Sequence, residues 1–451
     1  MAACLRTIAA LLALSVSFAL WLTGIIPDSW QAFLPSLFGS LLLALYCFLR
    51  LPTSRPILSR FLLLYLTIGT TLIGADLTLR VILRERFNYR PHEMFIRVWQ
   101  RLPLLTRYQP NVYYEGRTYG DLAAFSPDAE LQVTRQVEFE TDAFGFRNRQ
   151  QATRSKEPYD LVLLGDSFVA GCGSSQPDTW PEQLEQRHGI RTYNLGLPGD
   201  PGDAYLNLVA ESPRLNLRPG TQVVLAIFSG NDLTQFEPEA VDNLPLPWKQ
   251  RSLALYNACL DFRERSSLGR LWDRMQLGRD PQHSQLTPDQ AGLIIRPTPA
   301  GRPMLFYRHY TWLLDPAQEK AKVEFYTPDL EKVLKNFKSF CTSRQLQFNV
   351  VLIPCKEETL GWILQDQEPW SGSNQVSLLG QRLASFCRNQ GIGFLDLKPH
   401  FADASRQLYE TQGEWLWWPD DSHWNPRGYR LATDLLHKFL LEPPQFAGDV
   451  E

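Results

Sequence analysis

The sequence carries no excess of either charge: 45 Lys and Arg face 48 Asp and Glu over 451 residues, a formal net charge of -3. That excludes an electrostatic nucleic-acid binder, which needs a basic face. The seven cysteines fall in no zinc-site or disulfide-framework spacing. Cys4 and Cys47 lie in or beside apolar runs. Cys172, Cys259, Cys341, Cys355 and Cys387 are odd in number and read as small buried residues. There is no internal repeat and no low-complexity tract. What remains is a chain long enough for two or three domains and a large core.

Long apolar runs are present, but only at the start. Thr7 to Ile26 and Trp30 to Leu49 are uncharged, and Phe61 to Leu83 is interrupted only by Asp76 and Arg80. Each run is long enough to cross a hydrocarbon core of about 30 Å as a helix. Asp76 and Arg80 stand at i,i+4 spacing and can pair on one helix face. A cleaved signal peptide is the alternative for the first run. Two further apolar segments follow and no small-x-small site ends the first, so residues 1–86 are expected to form a three-helix membrane anchor. Arg50, Arg55 and Arg60 fall in the second connection, whereas Pro27 to Gln31 carries only Asp28. The positive-inside rule then places the large domain outside the cytoplasm. Arg80, Arg84, Arg86 and Arg90 pull the other way; the extracytoplasmic placement is retained.

Residues 87–154 read as a linker and a small β element, with a strand around Gln132 to Phe139 and a turn bearing aromatic anchors at Thr141 to Asn148. From 155 to 442 strands and helices alternate. Apolar runs predict strands at Asp160–Leu164, Arg191–Leu195, Val223–Phe228, Phe348–Pro354 and Gly393–Leu397. Helical patterns cover Trp180–His188, Ala204–Glu211, Asp329–Phe340, Val376–Gln390 and Arg430–Phe439. This order indicates an α/β fold, a parallel sheet with helices on both faces. Residues 235–320, rich in Pro, Arg, Trp and Gln, show no clear period and read as an insertion, and 443–451 as a tail.

Four loops at or near the ends of core strands carry chemistry. Tyr159 to Leu164 runs into Gly165-Asp166-Ser167, where a strand end delivers a hydroxyl to a surface crevice. Trp418 to Tyr429 contains His423, and imidazole is the side chain most suited to act as a base at neutral pH. Asp420 and Asp421 precede it by three and two residues, and either can hold its second ring nitrogen. The Gly199 N–H and the Asn231 side chain can donate to a developing oxyanion, each such donor worth about 3 kcal/mol in a dry site. Each residue also has a plainer reading: Ser167 as a helix cap, Asn231 and Gly199 as turn residues, His423 as a surface-loop histidine. Four separate strand-end loops matching one acyl-transfer site outweigh those readings together. The other histidines lack such companions.

These four blocks, Gly165-Asp166-Ser167, Gly199 after Asn194, Gly230-Asn231-Asp232 and Asp421-Ser422-His423, resemble the SGNH or GDSL-type hydrolase superfamily in their order. The resemblance spans about residues 140–440. Thr141-Asp142 followed by Gly145-Phe146-Arg147-Asn148 also resembles a membrane-anchored bacterial subgroup. Much of the superfamily places its acid three residues before the histidine, which selects Asp420. The Asp-x-His-Trp form is similar to alginate O-acetyltransferase relatives and selects Asp421, which is preferred here. The resemblance implies a three-layer, flavodoxin-like SGNH domain and an acyl-enzyme on Ser167, with no metal and no organic cofactor. It implies an esterase or O-acyltransferase acting on an acylated envelope glycan, with a membrane acyl-donor protein as a partner if it transfers. The alternative is a catalytically inactive SGNH-fold protein that binds or assembles glycan.

Overall fold

The computed structural model describes residues 110–126, 128–150, 157–233, 292–298, 301–365 and 374–441, with the stretches 96–98 and 106–108 and a few single positions. The apolar runs of residues 1–86, most of the insertion and the 443–451 tail lie outside these. Among the described residues no helix is long and apolar enough to cross a membrane. The chain divides into two compact units. One comprises Met1–Asn88, Ile96–Gln109 and Leu244–Gln285; within it β1 (Ile96–Val98) and β2 (Thr106–Tyr108) pair antiparallel. The other comprises Tyr89–Phe95, Pro110–Asn243 and Leu286–Glu451 and holds every candidate site residue.

That second unit begins with β3 (Tyr113–Thr118) and β4 (Arg135–Glu140), an antiparallel pair in which Tyr113 faces Glu140 and Thr118 faces Arg135. Next come β5 (Leu161–Leu164), α1 (Ser167–Ala170), α2 (Trp180–His188), β6 (Thr192–Asn194), α3 (Pro201–Glu211) and β7 (Gln222–Phe228). The described end of the insertion forms an antiparallel hairpin, β8 (Leu293–Arg296) and β9 (Met304–Tyr307), then a 3-10 segment at Arg308–Leu314. The described end of the insertion is therefore regular structure at 293–296 and 304–314, although its sequence shows no period. After it come α4 (Pro316–Ser343), β10 (Gln347–Ile353), the short α5 (Lys356–Thr359) and α6 (Gly361–Leu364), α7 (Leu378–Gln390), β11 (Gly393–Asp396), α8 (Lys398–Gln412) and α9 (Pro426–Leu441).

The core is a five-stranded, all-parallel sheet in the order β11-β10-β7-β5-β6. Leu161 to Leu164 and Val223 to Ile227 are fully buried. A parallel sheet covered on both faces needs such continuous apolar runs. From β5 the chain steps one way to β6, then reverses through β7, β10 and β11. Right-handed crossovers then put α2 on one face and α3, α4 and α7 on the other. The packing agrees: α2 lies against α9, and α4 lies against α3 and α7. The reversal makes the ends of β5 and β7 the switch point of the sheet, where open α/β folds build their sites.

Helix α4 is longer than its periodicity predicts. It begins thirteen residues earlier, at Pro316, because the Asp315 carboxylate accepts from the N–H groups of Ala317 (2.9 Å) and Gln318 (3.2 Å). Pro328 does not end it, since the buried stripe of Val323, Thr327, Leu330, Val333 and Leu334 runs straight through.

Residues 110–150 do more than link. Asp142 is a buried hub that accepts from Tyr193 Oη (2.6 Å), Asn148 Nδ2 (2.9 Å) and the N–H groups of Phe144 and Phe146 (2.8 and 3.2 Å). Asn148 in turn pairs with both backbone groups of Asn194, its Oδ1 accepting at 2.9 Å and its Nδ2 donating at 3.0 Å. A side-chain amide thus occupies hydrogen-bonding positions that the outermost strand β6 would otherwise leave open. Arg147, equally buried, donates to the carbonyls of Glu138, Ala170, Gly171 and Ser174 and stacks over Phe139. It ties β4 to the turn that follows α1.

Candidate active site

Strand β5 ends at Gly165, whose backbone passes so close to β7 that an added Cβ would lie 2.7 Å from the Ala226 carbonyl. Asp166 then caps α1, its Oδ1 accepting from the Phe168 N–H at 2.9 Å, and Ser167 is the first helical residue. Gly171 closes this four-residue helix in the left-handed conformation, at φ 75°. The result is a sharp strand-turn-helix that leaves Ser167 half-buried at the sheet's switch point.

His423 reaches the same point from the loop between α8 and α9. Its Nε2 lies 2.8 Å from Ser167 Oγ and its Nδ1 lies 2.7 Å from Asp421 Oδ1. Because Asp421 can only accept, the Nδ1 carries the proton and Nε2 is left to accept from the serine hydroxyl. The Asp421 Oδ1 also accepts from the His423 N–H at 3.1 Å. The imidazole packs on Phe168 at 4.8 Å. Trp424 lies beneath, against Phe168 on one side and stacked on Phe401 on the other.

The adjacent acids face apart. Asp420 sends its Oδ2 to the N–H groups of Gly120 (2.7 Å) and Val133 (2.8 Å) and its Oδ1 to Arg135 (3.3 Å). Burial raises the Asp420 carboxyl above its ordinary value, and the Arg135 cation opposes that. Of the two carboxylates, the one bonded to the histidine ring is Asp421.

Gly199 and Asn231 sit in the loops after β6 and β7, the two strands flanking β5. The first loop is pinned to the serine turn, with the Leu197 N–H donating to the Gly165 carbonyl at 3.1 Å. Gly196 admits no side chain, since a Cβ there would lie 2.6 Å from the Ala170 nitrogen. The second loop is fixed by Asp232, whose carboxylate accepts from the Phe228 N–H at 2.8 Å. Asp166 and Asp232 are both buried beneath the site. Burial raises Asp166 to about 6, while the Phe168 N–H and the His423 charge draw it down. Asp232 is pushed well above the usual carboxylate range, by burial first and the Asp166 charge second.

Three further residues enter the site that sequence reasoning did not single out. Asp121 accepts from the N–H (2.7 Å) and Oγ of Ser422, and its Oδ2 lies 3.5 Å from His423 Nδ1. Lys356, fully buried, donates to the Asp421 carbonyl (2.7 Å) and the Trp418 carbonyl (3.3 Å). Its ammonium is lowered by burial, with Glu357, Asp121, Asp421 and Asp420 opposing. Arg135 places Nη2 2.5 Å from Asp421 Oδ2. A signal existed for Lys356, which like Ser167 follows the carboxyl end of a buried core strand. Arg135 and Asp121 had none, since they lie in a polar stretch of weak period. The ligand atoms of Asp121, Asp421 and His423 lie within 4.8 Å of one another, spacing that would suit a metal ion. Two of those atoms already bond each other.

A hydroxyl, a histidine and a carboxylate in one hydrogen-bonded line, at the end of a parallel strand, define the geometry of serine-based acyl transfer. The chain belongs to the GDSL-like Lipase/Acylhydrolase family, whose sequence pattern matches residues 163–431. That membership makes it an ester-hydrolysing enzyme in general terms. A comparison with curated proteins finds no match.

Proposed function

We propose that this protein is a membrane-anchored serine esterase or O-acyltransferase that removes or moves acetyl or similar acyl groups on a cell-envelope glycan. The observation that carries the reading is the unbroken line Ser167 Oγ to His423 Nε2 (2.8 Å) and His423 Nδ1 to Asp421 Oδ1 (2.7 Å). His423 takes the Ser167 proton as Oγ attacks the ester carbonyl. The tetrahedral oxyanion is held by the N–H groups of Ser167 and Gly199 and by the Asn231 side chain. Collapse expels the alcohol, which receives the proton back from His423, and leaves an acyl-Ser167. Water, or a sugar hydroxyl, then attacks that ester with His423 again as base, and Ser167 is released. Asp421 orients the imidazole and stabilises its charged form throughout.

The apolar runs of residues 1–86 support membrane attachment, and the Asp421-Ser422-His423-Trp424 form supports a glycan acceptor or donor. Transfer would require a separate membrane protein to supply the acyl group. The test is labelling of the full-length protein with a fluorophosphonate probe. Wild type is expected to label on Ser167 and Ser167→Ala to take no label; equal labelling of the two sinks the assignment. Acetate release from an acetylated glycan in water alone would then select the esterase. Unchanged cellular function in Ser167→Ala would instead favour a binding or assembly role.

A further inference from the structure

Arg135 belongs to β4, outside the family-matched residues 163–431, yet its guanidinium is almost wholly spent on the catalytic loops. Nη2 meets Asp421 Oδ2 at 2.5 Å and Nη1 meets Asp420 Oδ1 at 3.3 Å. Nε donates to the Gly173 carbonyl at 2.8 Å, in the turn just after the Ser167 helix. Trp418 covers one face of the cation, 4.4 Å from ring centre to Cζ. The side chain is only 8 % exposed. Gly173 lies at φ 77°, and a Cβ there would come within 2.8 Å of Asp421 Oδ2 and 3.0 Å of Arg135 Nη2. The backbone has been drawn in to let cation and carboxylate meet.

We propose that Arg135 is a positioning residue that sets Asp421 on His423 from outside the hydrolase core, so that the segment 118–135 completes the active site. This rests on the reading of Ser167, His423 and Asp421 given above. Asp421 must point one oxygen at the imidazole, and its other oxygen needs a donor if burial is not to penalise the charge. Arg135 supplies that donor in a fixed planar fork, which a point charge on a flexible stem cannot reproduce. It also offsets part of the Asp421 charge and so limits how strongly that carboxylate favours a protonated His423. The groups facing His423 are Asp421 and Asp121, with Asp166 on the serine turn. Asp420, Lys356 and Arg135 act one step away, around Asp421. Removing Arg135 leaves this set more negative, which favours imidazolium and moves the acid limb of the pH–rate profile to higher pH.

The test is the rate of fluorophosphonate labelling against pH for the full-length wild type, Arg135→Gln and Arg135→Lys, with the unfolding temperature of each. Arg135→Gln is expected to label about a hundredfold more slowly, the effect of an active-site group displaced by roughly 1 Å. Its acid limb should move up, and added methylguanidinium should restore part of the rate. Arg135→Lys should fall between, with an acid limb near that of wild type. A folded Arg135→Gln with the wild-type rate and profile overturns the inference and leaves the nucleophile reading standing. So does a slow Arg135→Gln whose acid limb is unmoved and which methylguanidinium does not rescue, because that is the mark of a merely structural role. If neither variant folds, Arg135 belongs to folding alone and the proposal falls. A wild type that takes no label removes the Ser167 reading, and this inference with it.

Discussion

Strands β5 and β4 both deliver a side chain to the same site, and they do it by different means. β5 is four buried apolar residues in the middle of a parallel sheet, and its one exit is the turn that presents Ser167. β4 is one half of a two-stranded pair with alternating exposure, and it presents Arg135 through long-range hydrogen bonds to Asp420, Asp421 and Gly173. The sheet fixes where the Ser167 hydroxyl stands. The antiparallel element supplies the cation that meets the Asp421 and Asp420 carboxylates, which on the proposal above sets the acid's orientation. Hydrophobic burial is non-directional and roughly additive in area, whereas the β4 contribution depends on a few directed bonds and should fail abruptly when one is removed.

The largest expected effect divides the two neighbouring acids. Asp421→Asn should lower the acylation rate by about 10⁴, as expected when the histidine loses the carboxylate that sets its tautomer. Asp420→Asn should act mainly on folding, by about 1–3 kcal/mol, because it leaves buried donors poorly matched. Labelling kinetics and urea melts on both variants separate the outcomes, and equal losses of activity would erase the distinction. Next is Asp142→Ala, which strips four donors of their acceptor and should destabilise the unit by about 3 kcal/mol or more. Burial raises the Asp142 carboxyl from 3.8 to about 6, against its own hydrogen bonds. The stability it contributes is therefore full below the unfolded value and is lost as pH rises through about 6. Chemical denaturation should find a wider gap between wild type and Asp142→Ala at pH 5 than at pH 7; a gap that widens with pH contradicts the burial argument. Smallest is Arg149→Ala. Its ion pair with Glu182 joins residues 110–150 to α2 at 2.8 Å, but the arginine is 48 % exposed, so the loss should stay under about 1 kcal/mol. A thermal shift larger than that would mean the element is held by its rim and not by its hub.

Much of this was legible in the chain because core strands of a parallel sheet must be continuously apolar. Leu161–Leu164, Val223–Phe228 and Phe348–Ile353 could hardly be read otherwise, and the loops that follow them carry Ser167 and Asn231. The histidine loop announced itself by its acids, though which acid bonds the ring could be settled only by where each side chain points. What escaped was stabilised by partners distant in sequence. β3, Tyr-Tyr-Glu-Gly-Arg-Thr with Tyr113 59 % exposed, is a strand because β4 pairs with it. The β8–β9 hairpin packs through Leu293 and Leu305 on Leu122 and Ala123, some 170 residues earlier. The run Lys356-Glu357-Glu358 would pass for a solvated face, yet all three side chains are buried. Glu357 accepts from the Tyr307 N–H, and Glu358 from Ser229. No period in the sequence encodes bonds of that length, and Arg135 and Asp121 were hidden for the same reason.

Ser167 and His423 bond each other across 256 residues. The centre of the sheet is similarly deferred, since the β7 edge at Gln222 meets β10 at Gln347, 125 residues later. Closing loops of that length is entropically unfavourable and slows folding. During synthesis the serine leaves the ribosome long before its base does. Until the chain beyond α8 has been made and docked, Ser167 has no imidazole beside it, only the neighbouring Asp166 carboxylate at 3.4 Å. On the mechanism proposed above, the spacing would work as a timer: a Ser167 nucleophile would be armed only once His423 has docked, and a half-made chain would not react with esters around it.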